Sequence, residues 1–267
     1  NPLLKYNDDD GVLVEPVFYV PTLPMLLVNG SSGIGTGWST EIPSFNPIDL
    51  IENMKLAMEG KPMKHMIPYY KGFKGKIIPE DDNLTFKTCG IYEDKGNRLV
   101  ITELPIGVWT QNYKEHLENL QNDDYIRYYN SYCTDVDINF EIFWSDKLKK
   151  LYTNSREKFE KKIKITSSIS CKNLVAFNSE NKLTKYKTIL EMLDEYVNTR
   201  IGLYTDRRAY VIKELNREIN LYKTKVRFIE AFINNKIQII KKRKVEIESQ
   251  LNDQEFPKID DSYDYLL

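Results

Sequence analysis

The sequence has only three cysteines, Cys89, Cys133 and Cys171, and only two histidines, His65 and His116. An odd, widely spaced set of thiols does not build a disulfide framework and points to a reducing compartment. So few Cys and His leave no zinc-type ligand spacing, which excludes a metal centre of that kind. Long apolar runs are missing as well. The best candidate, Val20 to Val28, is broken by Pro21 and Pro24 and falls short of the roughly 18–20 residues a membrane helix needs. No membrane partner is expected. A signal peptide is also lacking. The chain begins at Asn1 and stops in an acidic, tyrosine-bearing stretch, Asp260 to Leu267, so it reads as a piece of something longer.

Net charge is nearly absent, with 38 Lys and Arg against 39 Asp and Glu, yet the charges are segregated. Lys147 to Lys172 holds nine bases and two acids, and Arg200 to Glu248 holds thirteen bases and six acids, a local surplus of +7 in each. Acids gather at Asp8-Asp9-Asp10, around Asp81 and Asp82, between Glu115 and Glu141, and in the tail. Separate basic stretches in a neutral chain suit an anionic partner met on one face. The competing reading of each is a solvated basic surface.

Glycine and proline are almost confined to the first part. Gly202 is the only glycine after Gly107, and no proline lies between Pro105 and Pro257. The fold class expected is therefore α+β: a turn-rich, mixed α/β portion followed by long helices. Glu15 to Val28 reads as extended chain, and Asn29 to Thr40 as a glycine-rich loop. Asn46-Pro47 opens a helix capped by Asn46, with an apolar stripe of Ile48, Ile51, Met54 and Met58, stopped by Gly60. Strands are expected at 75–78, 84–88, 90–92, 99–103 and 135–143, with a helix at 110–120. From Tyr204 through Val211, Leu215, Ile219, Tyr222, Val226, Ile229, Ile233 and Ile237 to Ile240, apolar residues recur at helical spacing. One long helix needs something to cover that stripe, either an antiparallel coiled-coil partner or a short globular core.

The glycine-rich run NGSSGIGTGWST has no Lys after its glycines and lacks the GxGxxG spacing, so it is neither kind of nucleotide-phosphate loop. Ile34 stands out as a stiff apolar residue between Gly33 and Gly35. An exposed apolar residue on a tight turn can wedge between base pairs and kink a duplex. The alternative is a core residue that anchors the loop.

At these residues the chain resembles a known family. EPVFYVPTLPMLLVNGSSGIGTGWSTEIPSFNP is similar to the segment of eukaryote-type type IIA DNA topoisomerases that follows their winged-helix domain. The likeness continues in order through YYKGFKG, ITELPIGVWTQNYKE, ITSSISCKNLVAFN and TKYKTILEMLDEYVNTRIGLY. Bacterial gyrase A-type relatives share the glycine loop more loosely and usually have His where this chain has Phe45. The resemblance implies residues 1–21 as the end of the winged-helix domain, 22–165 as a mixed α/β tower, and 166–267 as an incomplete helical coiled-coil arm.

The resemblance also implies roles. The family's DNA-bending isoleucine falls on Ile34. Its DNA-contacting strand and turn fall on Lys164, Ile165, Thr166, Ser167, Ser168, Ile169, Ser170, Cys171, Lys172 and Asn173, where hydroxyls, backbone N–H groups and lysines suit phosphate oxygens. Lys71 and Lys74 are candidates for the same duplex or ordinary surface lysines. Trp109, Thr110, Gln111 and Lys114 match the family's WTQxYKE motif, with Trp109 expected to anchor packing. The family commonly has Ala-Glu in place of Ser31-Ser32, and Arg-Thr in place of Gly107-Val108, which removes a cation here. The nucleophilic tyrosine, the acidic Mg2+ site and the ATP-binding domain are all expected upstream of Asn1, leaving no catalytic, metal or cofactor residue in this piece. Arg127-Tyr128 matches nothing around that nucleophile. The parent is expected to be an ATP- and Mg2+-dependent homodimer acting on double-stranded DNA inside the cell. It would work in the nucleus if cellular, or in the host cytoplasm or nucleus if viral. The rivals are a non-enzymatic DNA-binding coiled-coil scaffold and a fragment of a gyrase A-type protein.

Overall fold

A computed structural model describes residues 2–267. They form two compact units, Leu4–Arg200 and Ile201–Leu267 with residues 2–3. The larger unit opens on a hairpin of β1 (Tyr6–Asp9) and β2 (Val12–Pro16). Its turn residues Asp10 and Gly11 both have positive φ, 50° and 85°, which matches the twist of paired strands. The Asp8 carboxylate accepts from Gly11 N at 2.8 Å, so the acidic run closes β1 and enters its turn.

The next stretch departs from the extended chain expected up to Val28. Pro24 O accepts from both Leu27 N and Val28 N, starting the short helix α1 (Met25–Asn29). The glycine-rich run is then a hairpin, β3 (Ser31–Gly35) paired with β4 (Trp38–Ile42), rather than a loop. Helix α2 (Pro47–Met58) starts as expected, with Asn46 Oδ1 accepting from Ile48 N at 2.9 Å and Pro47 in the first turn. Its buried face is Leu50 and Asn53, while Ile48 and Met58 of the expected stripe are exposed. Asn53 decides this. Its side chain donates to Lys64 O at 3.0 Å and accepts from Lys64 N at 2.7 Å, docking the following segment on that face.

Three strands follow: β5 (Lys76–Pro79), β6 (Thr85–Cys89) and β7 (Ile91–Asp94). Then come β8 (Leu99–Glu103), α3 (Thr110–Asn122), β9 (Ile126–Ser131) and β10 (Phe140–Trp144). The strand expected from residue 135 starts only at Phe140, because Thr134 closes a turn with Asp137. Two helices, α4 (Asp146–Asn154) and α5 (Arg156–Lys162), precede β11 (Thr166–Ser170), β12 (Leu174–Phe177) and β13 (Leu183–Tyr186). The long helix α6 (Ile189–Ile233) leaves this unit.

Two cores hold the larger unit. In the first, the antiparallel sheet β7-β8-β10-β9 packs Leu99, Ile101, Phe140 and Ile142 with Tyr113 and Leu117 of α3, Leu148 of α4 and Phe159 of α5. The second joins Leu27, Ile42, Phe45, Leu50, Phe86, Ile169, Leu174 and Leu193 around the sheet β11-β6-β5. Strand β11 belongs to both: Ile165, just before it, is buried in the first core, and Ile169 in the second.

In the smaller unit α6 ends at Ile233, short of the Ile240 that its apolar period suggests. Asn235 takes φ 55°, its N–H donates to Phe232 O, and Lys236 N donates to Ala231 O, the paired bonds of a Schellman stop. The chain turns back, and Ile237 is buried with Phe228, Ala231, Phe256 and Tyr263 beside Ile247 and Leu251 of α7 (Lys244–Asp253). That short globular core takes Phe228 and Ala231 of α6 with Ile237 from beyond the turn, and leaves Ile229 and Ile233 of the stripe exposed. Leu215, Ile219, Tyr222 and Val226 stay exposed.

Candidate nucleic-acid interface

The β3–β4 hairpin is built to expose its tip. Gly35 pairs with Trp38, so Thr36 and Gly37 alone make the turn, and Gly37 takes φ 75°. At the base, Gly30 has φ 71°, and a Cβ there would stand 2.7 Å from Ile42 O. Only glycine lets these chains approach so closely. Leu27, Ile42 and Phe45 sink the base into the second core, and Phe45 N donates to Leu27 O at 2.8 Å. The tip has no such cover. Ile34 is 95% exposed, Trp38 is 52% exposed, and nothing lies within 4 Å of where a Cβ would sit on Gly33.

The hairpin is tied to the basic strand. Glu41 N donates to Asn173 O at 2.9 Å, and Asn173 Nδ2 donates to Ser39 Oγ at 2.9 Å. Behind Asn173, the residues from Lys164 to Lys172 obey the two-residue alternation of a strand. Ile165, Ile169 and Cys171 are buried, and the Ser167 hydroxyl donates to Ile106 O at 2.6 Å while sharing a 2.9 Å bond with Thr88. Burial pushes the Cys171 thiol up to about 12, aided by the Glu41 and Asp82 charges, so it stays protonated at neutral pH. The side chains of these four therefore face the cores, and the N–H groups of Ile165 and Cys171 are also engaged, with Glu160 O and Leu84 O.

Lys164, Thr166, Ser168, Ser170 and Lys172 share the opposite face. Register adds neighbours to it: Thr166 and Lys76 both pair with Cys89, and Ser168 pairs with Lys87. Lys76 and Lys87 are members of the basic face that the one-dimensional spacing of 164–173 could not reveal. Alternation alone could have separated its inward from its outward residues. Lys164 is held in the left-handed region at φ 51°, because α5 ends in a Schellman stop there. Lys164 N donates to Lys161 O, and Ile165 N to Glu160 O. Lys172 Nζ lies 2.7 Å from Asp82 Oδ2. That lysine, with backbone N–H groups of Leu84 and Thr85, holds the Asp82 carboxyl well below the usual carboxylate range.

Lys71 sits in a turn closed by Phe73 N donating to Tyr70 O, with Gly72 at φ 87°. The segment is fastened just beyond β4, since Tyr69 N donates to Ser44 O and Ser44 Oγ to Tyr69 O, each at 2.8 Å. Lys71 is exposed with no ion pair among the described residues, whereas Lys74 Nζ stands 3.6 Å from Asp137.

Comparison with known proteins decides the family. A family model for the A-type subunits of DNA gyrase/topoisomerase IV matches residues 1–267. The chain is 39% identical over 225 residues to DNA topoisomerase 2 of Penicillium chrysogenum, which covers 82% of this chain and 14% of that protein. Against DNA topoisomerase 2 of Plasmodium falciparum the identity is 40% over 223 residues, covering 82% and 16%. A crystal structure of the Plasmodium falciparum topoisomerase II DNA-binding, cleavage and re-ligation domain superposes with a TM-score of 0.86 at 37% identity, covering 96% of this chain and 35% of that one. The chain belongs to the eukaryote-type type IIA DNA topoisomerases.

It spans about a seventh of the length of such curated relatives. Trp109 departs from the anchoring role expected of the WTQxYKE motif: it is 73% exposed just before α3. The motif's anchor is Tyr113, fully buried with its hydroxyl donating to Ile163 O at 2.7 Å. Tyr128 lies in β9 with its ring stacked on Phe143, centroids 4.2 Å apart. Among the described residues no group of three or more His, Cys, Asp or Glu is placed to hold a metal ion, and no helix is long and apolar enough to cross a membrane.

Proposed function

We propose that this chain is part of the DNA-binding and cleavage core of an ATP-dependent type II DNA topoisomerase, where it binds and bends the duplex to be cut. Ile34 inserts at a base step, and the kink opens the groove over the hairpin. Lys164, Thr166, Ser168, Ser170 and Lys172 meet phosphates, with Asn173, Lys71 and Lys74, while Ile165, Ser167, Ile169 and Cys171 hold the strand in place from its inner face. The observation that carries this is the pairing of an apolar tip with nothing to cover it and a strand whose outward face is hydroxyls and lysines, joined through Asn173.

In this reading residues 1–21 end a winged-helix domain, 22–165 form a tower, and 166–267 begin a coiled-coil arm. The exposed stripe of α6 supports the last assignment. The parent is a homodimer, and Mg2+ and ATP act on parts of the enzyme outside these residues. Its place is intracellular, the nucleus if the enzyme is cellular and the host cytoplasm or nucleus if it is viral. The test is salt-dependent duplex binding by the complete enzyme carrying Lys164→Gln and Lys172→Gln. Each lost phosphate contact should lower the slope of log K against log salt by about 0.9. An unchanged slope contradicts the strand assignment.

A further inference from the structure

The segment that leads into the glycine-rich hairpin borders a cavity that the interface above does not use. Its volume is about 420 Å³, within the range of small-molecule sites. The walls come from residues 18–21 and 24–27, the turn between β12 and β13, and the first turns of α6. Both outer walls are fastened to α6. The Tyr196 hydroxyl donates to Pro21 O, and the Arg200 guanidinium donates to Val20 O. On the other side Ser179 N donates to Glu195 Oε1 and the Tyr186 hydroxyl to Glu195 Oε2, each at 2.8 Å. Pro21 and Pro24 fix φ along the first wall. The shape is therefore set in advance, which spares a ligand the cost of ordering it.

The lining is chiefly apolar, and its rim leaves aromatic surface in solvent, with Tyr19 71% and Phe177 67% exposed. Apolar surface gathered around a cavity in this way marks a binding site. Among the described residues, Glu195 is the single charged side chain in the lining. Burial opposes its charge, but the Ser179 N–H and the Tyr186 hydroxyl hold its carboxyl below the ordinary value, so it is ionised at neutral pH. No lysine or arginine pairs with it among the described residues. Each of its oxygens takes one hydrogen bond and keeps a further lone pair. An unneutralised carboxylate beside aromatic faces selects an organic cation, through a charge-assisted hydrogen bond and cation–π attraction.

We propose that this cavity binds a small organic ammonium ligand, a protonated amine on an aromatic body, with the ammonium group on Glu195 and the ring against Phe18, Tyr19 and Phe177. None of the lining residues belongs to the phosphate-contacting set, and the inference does not rest on the DNA-binding reading. The probe is tryptamine, an indole carrying an ammonium group, compared with tryptophol, which has a hydroxyl in its place. Binding of each to the complete enzyme, without DNA, is titrated by saturation-transfer NMR.

A hydrogen bond to a charged group outweighs a neutral one, so tryptamine should bind at least about tenfold more tightly than tryptophol. Glu195→Gln should remove that preference. Tyr19→Ala and Phe177→Ala, at side chains already mostly in solvent, should leave the melting temperature unchanged and weaken tryptamine by about two- to fivefold each. These two variants decide the matter if Glu195→Gln lowers the melting temperature. Equal affinity for the two probes overturns the ammonium assignment. Tryptamine binding that none of the three substitutions weakens lies elsewhere on the enzyme and overturns the site. Absence of tryptamine binding to the complete enzyme also overturns it, since parts of the enzyme outside these residues would then fill the cavity.

Discussion

Replacing Ile34 by Ala takes three carbons from a side chain that is 95% exposed. Folding should hardly notice, because a surface substitution of this kind changes stability by no more than about 0.5 kcal/mol. The bent complex should notice strongly. At about 0.8 kcal/mol for each buried carbon, an inserted isoleucine contributes about 2.4 kcal/mol more than an alanine, a factor of about 50 in the bending equilibrium. The assay is energy transfer between dyes at the two ends of a duplex bound by the complete enzyme, read with the melting temperature of the same protein. A lost bend with unchanged melting supports the wedge. An unchanged bend would refute the reasoning, since the exposure of the tip would then have no DNA counterpart.

Three further outcomes follow from the site's geometry. Asp82→Asn releases Lys172 from an exposed ion pair, so duplex binding should tighten by up to about fivefold in fluorescence anisotropy; weaker binding would remove Lys172 from the phosphate track. Ser167→Ala breaks the bonds to Ile106 O and Thr88; it should lower stability by about 1–2 kcal/mol in urea melts while leaving the salt slope of DNA binding intact, whereas a changed slope would mean that its hydroxyl meets DNA. Burial raises the Cys171 pKa to about 12, above an unfolded value of about 8.5. The folded state thus holds that proton more tightly, and the stability linked to it is full below about pH 8.5 and is lost as pH climbs toward 12. At pH 8, alkylation followed by peptide mapping should spare Cys171 until the protein unfolds; rapid labelling in the folded protein would show the site to be open.

Much of the architecture can be read from the order of residues, because it rests on local chemistry. Asn46-Pro47 can hardly do anything but start a helix, and the absence of Gly and Pro after Gly107, except Gly202 and Pro257, permits a helix as long as α6. Other features are decided by partners distant in sequence. The apolar stripe on α2 is outweighed by Asn53, whose two hydrogen bonds run to Lys64. The apolar spacing of α6 runs on past its real end, because Ile237 is used again after the chain reverses at Asn235. At the interface, the run from Lys164 to Asn173 reads as one block of contacts, yet pairing with β6 sends Ile165, Ser167, Ile169 and Cys171 inward and brings Lys76 and Lys87 alongside the others. Ile34 is legible as an oddity between glycines. Its projection depends on the base of the hairpin, where Gly30 meets Ile42.

The central claim is that the tip of the β3–β4 hairpin enters the duplex while the outward face of β11 lies along its phosphates. A structure of the complete enzyme bound to a cleavable duplex measures this directly. The Ile34 side chain should lie between two base pairs, in van der Waals contact with both, with Lys164 and Lys172 against the backbone. Contradiction would be an intact base stack opposite the hairpin, with Ile34 packed on protein or left in solvent.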